Sequence, residues 1–184
     1  MNNKEQIYVS CDVETNGPIP GEFSMLSFGA AAFSESGQLV GTFERNLETL
    51  PGAGENPDTM AWWQTQAKAW EECRKDPQDP KKAMEEFSKW VKSFNKTPIF
   101  VAFPAGFDFT FLYWYLIKFT GYSPFSFSAL DIKSYAAAKL GVDYKSVNKK
   151  LLKKHWPVVT VHSHVALEDA IEQGQIAVQM LGLK

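Results

Sequence analysis

Three short stretches hold acidic residues where acids are costly unless they do chemistry. The first, CDVETNG, sets Asp12 and Glu14 two residues apart. On extended backbone that spacing points both carboxylates to one face. Like charges so placed repel, and desolvating them is unfavourable without a compensating cation. A hard divalent ion such as Mg2+ or Mn2+ suits oxygen donors of this kind. The competing reading is an acidic turn closed by Asn16 and Gly17. The second stretch, FPAGFDFTFL, contains Asp108, the only charged residue between Lys96 and Lys118. An acid in so apolar a setting needs a partner; a helix N-cap is the alternative. The third, SHVALEDA, sets His164 and Asp169 five residues apart. Five residues turn an ideal helix through about 500°, so the two would not share a face. They converge only if the histidine stands at or before the helix start. An exposed helix-start histidine is the plainer reading, and His162 nearby shows that the segment tolerates the residue type.

The elements that must position these groups are legible in outline. Ile7 to Cys11 reads as a strand, with Asp12 and Glu14 immediately after it, and Phe23 to Phe33 and Gln38 to Arg45 read as two more. Ser36 and Gly37 turn between the last two, which predicts a hairpin. Leu50 to Pro57 is loop material. Asp58 is a candidate cap for a helix over Thr59 to Arg74. Asp79 followed by Pro80 is a stronger start signal, an acceptor side chain at the cap and a proline at the first helical position. The helix it opens, to about Phe94, carries Ala83, Phe87, Trp90, Val91 and Phe94 as one apolar stripe. Pro98 ends the connection to a short strand, Ile99 to Ala102. Phe107 to Thr120 reads as a helix apolar almost all round, which predicts deep burial. A strand over Phe125 to Leu130, short helices over Ile132 to Leu140 and Val147 to His155, and a closing helix over His164 to Leu181 complete the order. Strands first, then helix and strand units, predict an α/β domain: a mixed β-sheet flanked by α-helices. Ligands in such folds gather at the carboxyl ends of strands.

Composition sets limits. The 184 residues, 45% hydrophobic and 22% charged, suit one globular domain over residues 1–184 with a core of its own. Cys11 and Cys73 lack any CxxC spacing and read as reduced thiols. No leader segment is visible, and the apolar stretch near Phe107 to Phe119 is too short and too interrupted to span a membrane. The expectation is a cytosolic protein with no membrane partner. A net charge of −2 argues against a uniformly basic, phosphate-binding surface. It conceals a local excess: Lys133 to Lys154 holds seven lysines against one acid, Asp143. That run is either a solvated face or, in part, a phosphate contact.

Taken together, the ordered set Asp-x-Glu, a later lone Asp, and His-x-x-x-x-Asp near the C-terminus resembles the DEDDh branch of the DEDD 3′–5′ exonuclease superfamily. The flanks agree: Thr15 and Gly17 after the first pair, Phe107 before Asp108, Ala166 and Ala170 around the last pair. The resemblance runs from Ile7 to about Leu181. Asp131 sits where members often carry a supporting aspartate. TMAWW, Thr59 to Trp63, is similar to a compact bacterial and phage subgroup that includes enzymes acting on RNA 3′ ends. One departure stands out: many members have Asn four residues before the third acid and His before that, where this chain has Pro104 and Phe103.

The resemblance implies a ribonuclease H-like fold and two-metal phosphodiester hydrolysis, with Mg2+ or Mn2+ ions about 3.5–4 Å apart. It implies Asp12, Glu14, Asp108 and Asp169 as metal ligands. His164 would be the general base, suited to it by an imidazole pKa of about 6.5. The implied partner is nucleic acid with a free 3′ end, single-stranded RNA or DNA or a 3′ overhang, and the product a 5′-mononucleotide. Candidate substrate contacts are Thr15, Asn16, Met25 and Leu26 after the first pair, Lys149 and Lys150 in the lysine run, and Trp62 and Trp63. The tryptophans would either stack on a base or fill core space. Some members are dimers, so a homodimer is a further expectation. The alternative reading is a catalytically silent nucleic-acid-binding module on the same fold.

Overall fold

In the computed structural model, which describes residues 5–159 and 164–183, five strands form one sheet in the order β3-β2-β1-β4-β5. The strands are β1 (Gln6–Thr15), β2 (Met25–Ser34), β3 (Leu39–Asn46), β4 (Thr97–Ala102) and β5 (Ala129–Asp131). β1 to β3 run antiparallel, while β4 and β5 lie parallel to β1. The helices are α1 (Pro57–Trp63), α2 (Ala67–Cys73), α3 (Pro80–Ser93), α4 (Ala105–Thr120), α5 (Ile132–Leu140), α6 (Lys149–His155) and α7 (Ala166–Leu181).

Alternation along β1 sorts the layers. Ile7, Val9, Cys11 and Val13 enter the core shared with α3 and α4. Tyr8 packs in the second core, with residues of α5, α6 and α7. By the same alternation Asp12 and Glu14 share the face of Tyr8. The sheet is thus covered on both faces, as the pattern of elements predicts.

Several boundaries differ from the sequence reading, each for a local reason. β1 runs to Thr15, so Asp12 and Glu14 lie within the strand, paired with Gly29 and Ser27 of β2. The helix expected over Thr59 to Arg74 is two helices, broken at Gln64 to Gln66. Its cap is Asn56, whose side chain accepts from the Thr59 N–H, because Pro57 takes the first helical position. The Asp79–Pro80 start stands as expected, with the Asp79 carboxylate accepting from the Lys82 N–H. β4 begins at Thr97 and includes Pro98. The Thr97 N–H points at Glu5, so the nitrogen of Pro98 faces the other edge, where β5 begins only opposite Phe100. The strand expected over Phe125 to Leu130 is the shorter β5. The last two helices begin later than expected: Asn148 caps α6, and His164 stands outside α7. Helix α4 is not buried all round. Phe111, Leu112, Tyr115 and Leu116 face the core, while Phe107 and Ile117 are exposed. Cys11 and Cys73 are buried, free thiols.

Candidate active site

Four elements meet at the carboxyl end of β1. Asp12 and Glu14 project from the strand toward α7. Asp108 arrives from the first turn of α4, on the opposite layer, and its Oδ1 accepts from the Val13 N–H at 3.1 Å. That bond crosses the strand between the two acids and fixes Asp108 beside them. Asp108 is therefore inside α4 and not its cap, which is Pro104. Asp131 caps α5 through the Ser134 N–H and also accepts from the Ala105 N–H at 3.0 Å. It ties the starts of α4 and α5 together and stays out of the cavity, a supporting role.

Helix α7 supplies the remaining groups. Asp169 lies in its first turn and is buried, 1% exposed. His164 precedes the helix with a left-handed φ of 56°, a conformation uncommon outside glycine but adopted more readily by asparagine, aspartate and histidine. This turn resolves the spacing problem posed by the sequence. Leaving the helix before Ala166 lets the imidazole swing back to Asp169. Ligand atoms of Glu14, His164 and Asp169 lie within 4.8 Å of one another. The helix reaches the sheet because Gly29, paired with Asp12, has no side chain. A Cβ there would lie 2.3 Å from the backbone N of Leu167.

Asp12, Glu14, Asp108, Lys149, His164 and Asp169 line one open cavity of about 490 Å³, with Val13, Phe103, Pro104 and Phe107 as its apolar wall. Burial, reinforced by Asp108, Glu14 and Asp169, holds the Asp12 carboxyl well above the usual carboxylate range. Burial likewise pushes Glu14 up to about 8, with Asp169 and Asp108 adding to it. Asp108 is raised to about 7, again mainly by burial, against the opposing pull of its Val13 hydrogen bond. Lys149 acts in the opposite direction on all three, and its Nζ lies 3.9 Å from Asp169. A divalent cation would relieve the same repulsion, and this all-oxygen set with one adjacent imidazole is chemically suited to Mg2+ or Mn2+. The donor set therefore fits the metals that the sequence implies.

The expected substrate contacts separate. Lys149 joins the cavity, whereas Lys150 is exposed outside it. Trp62 is 39% exposed and meets His164 edge-to-face at 5.0 Å. Trp63 is core; its Nε1 donates to the Thr15 carbonyl at 2.9 Å. Met25 and Leu26 are also core, 0% and 1% exposed. Asn16 is buried and braces the strand end, accepting from the Ser24 N–H. Thr15 is buried too and donates to the Gly17 carbonyl. All four are buried, and none of them lines the cavity. His162 falls outside the described residues. Sequence reasoning missed Gln173, buried on α7, whose Nε2 donates to the Cys11 carbonyl at 3.0 Å and to Asp12 Oδ1 at 3.3 Å. Its spacing of four from Asp169, one helical turn, was the available signal.

Known proteins share this chain's sequence and fold. Residues 7–181 match the family described as the 3′–5′ exoribonuclease Rv2179c-like domain. The chain is 33% identical over 181 residues to the 3′–5′ DNA exonuclease Cap18 of Escherichia coli, covering 96% of this chain and 92% of that one. Among solved structures it resembles the nuclease domain of 3′hExo, a DEDDh family member bound to rAMP. That match has a TM-score of 0.75 at 11% identity and covers 97% of this chain and 92% of the other. It also resembles S. pombe Pop2p in its Mg2+- and Mn2+-bound form, with a TM-score of 0.67 at 16% identity, covering 94% and 82%. Among the described residues, no helix is long and apolar enough to cross a membrane. On a fold shared with the solved nucleases, the chain belongs to the Rv2179c-like family and is a 3′–5′ exonuclease.

Proposed function

We propose that this exonuclease removes 5′-mononucleotides from the free 3′ end of single-stranded RNA or DNA by two-metal hydrolysis. The observation that carries the reading is the convergence of Asp12, Glu14, Asp108, Asp169 and His164 on one open cavity. The family is named for RNA and the Escherichia coli relative for DNA, so the proposal spans both sugars.

Asp12, Glu14, Asp108 and Asp169 would hold the ions. Two such ions, when bound, lower the pKa of the attacking water and stabilise charge on the attacking and leaving oxygens. His164 takes the proton of that water. Its ring is held edge-on by Trp62, which limits rotation and favours one presentation of the accepting nitrogen. Lys149, on the cavity wall, is placed to meet a phosphate oxygen. Phe103, Pro104 and Phe107 offer sugar and base an apolar surface without directional donors, which suits tolerance of base identity. Trp62, partly exposed at the rim, gives a base a stacking face. Such stacking is open to any unpaired base, which favours single strands.

Replacing Asp12 or Asp169 by Asn tests the assignment. Each change should abolish hydrolysis and leave circular dichroism unaltered. Hydrolysis at near wild-type rate by either variant would remove that residue from the ligand set.

A further inference from the structure

Helix α7 carries a buried glutamine that the chemistry above does not use. Gln173 is 4% exposed and lies one turn beyond Asp169, against β1. Its amide nitrogen donates to the backbone carbonyl of Cys11 and to Oδ1 of Asp12, at 3.0 and 3.3 Å. The carbonyl fixes which end of the amide faces the strand, since only the NH2 can meet an acceptor there. The opposite end is a liability: Gln173 Oε1 is buried and accepts no hydrogen bond among the described residues. An orphaned buried acceptor lowers stability. A methionine of the same shape would fill this place without that cost.

We infer that Gln173 is a positioning residue for Asp12, an outer partner that holds one carboxylate oxygen and so orients the other toward the cavity. This rests on the reading of Asp12 as a metal ligand. The geometry supports the role twice. The same NH2 bridges the backbone one residue before Asp12 and the Asp12 side chain, so it fixes the position of the strand and the rotation of the carboxylate together. The helix that supplies Gln173 also supplies Asp169, so two acids from separate elements are referenced to one rigid helix. Outer partners that orient a ligand typically change metal affinity by about 10–100-fold when removed.

The test is calorimetric titration of the full chain with Mn2+ alone, together with thermal melts in chelator. Gln173→Met removes the donor and keeps the shape; Gln173→Leu removes the donor with a shorter apolar side chain. Both should bind Mn2+ about tenfold or more weakly than wild type. In chelator the Met variant loses the orphaned Oε1 but also takes a donor from the Cys11 carbonyl, so its melt should change little beside the loss of Mn2+ affinity; a purely structural hydrogen bond would lower the melt and leave Mn2+ affinity unchanged. Wild-type Mn2+ affinity in either variant overturns the proposal. If the wild type itself takes up no Mn2+, the metal reading fails and the positioning role falls with it. That outcome is distinct from tight binding by wild type and variants alike.

Discussion

Gly29→Ala isolates how the site is assembled. Gly29 pairs with Asp12 across the β1–β2 ladder, and the first turn of α7 rests on it. An added Cβ would lie 2.3 Å from Leu167 N and 2.4 Å from both Ala166 C and Leu167 Cα. All three are backbone atoms, so no side chain can rotate away. Ordinary contact begins near 3.4 Å, so the start of α7 must lift by about 1 Å. Asp169 lies two residues past Leu167, and His164 three before it, so both move relative to Asp12 and Glu14. A misplacement of about 1 Å in reacting groups can lower turnover by about 100-fold. Overpacking of this kind costs about 1–3 kcal/mol. For a chain of this size that lowers Tm by roughly 2–4 °C per kcal/mol. The assay is steady-state hydrolysis of a short labelled strand at a temperature well below both melts. The expected loss is in kcat. Met84→Ala is the control: Met84 is fully buried on α3, in the core on the other face of the sheet. It should cost about 2–5 kcal/mol with kcat nearly intact. A Gly29→Ala enzyme with wild-type kcat would refute the claim that this contact sets the site.

Other outcomes follow from the same geometry. Glu14 in the metal-free fold is raised from 4.5 to about 8 and Asp108 from 3.8 to about 7. A raised pKa means the folded state holds the proton more tightly than the unfolded state. Its contribution is therefore fully present below about pH 4 and is lost as pH rises through 7 to 8. In chelator, Tm should fall between pH 5 and 8, and Mn2+ should restore it at the upper end; a flat chelator profile would contradict the burial of these charges. His164→Ala should slow turnover by about 10²–10⁴-fold, the usual worth of a general base, while calorimetric Mn2+ affinity changes little. Lys149→Ala should weaken binding of a single strand and reduce the slope of log affinity against log salt by about 0.7, whereas Lys150→Ala, outside the cavity, should leave both nearly unchanged.

Which parts were legible in the sequence has physical reasons. Asp12, Glu14 and Asp108 stand out because each breaks a local rule, whereas His164 and Asp169 are reached only through the resemblance of the ordered set. Asp12 and Glu14 set like charges on one strand face, and Asp108 interrupts an apolar stretch. Asp79–Pro80 could be read because a helix cap is decided within a few residues. Asn56 was passed over for Asp58 because the proline that shifts the cap by two positions lay within what read as loop. The break at Gln64 to Gln66 carries no Gly or Pro, so nothing local marks it. Met25, Leu26, Asn16 and Thr15 were expected at the substrate because they follow the acidic pair. Their burial depends on packing from other segments, notably Trp63 and Ser24. The sidedness of α4 was hidden because its aromatics look alike whether they face core or solvent. Gln173 is missed for a similar reason: apart from its one-turn spacing from Asp169, a glutamine on a helix reads as surface until β1 is placed beneath it.

Digestion of 3′-labelled and 5′-labelled single strands, RNA and DNA in parallel, tests the central claim most directly. Each strand is incubated with Mg2+, with Mn2+ and with chelator. The account predicts immediate release of the 3′ label as mononucleotide, a ladder shortening from the 3′ end in the 5′-labelled strand, and neither in chelator. Absence of cleavage of every strand with either metal, or cleavage that persists in chelator, would contradict it.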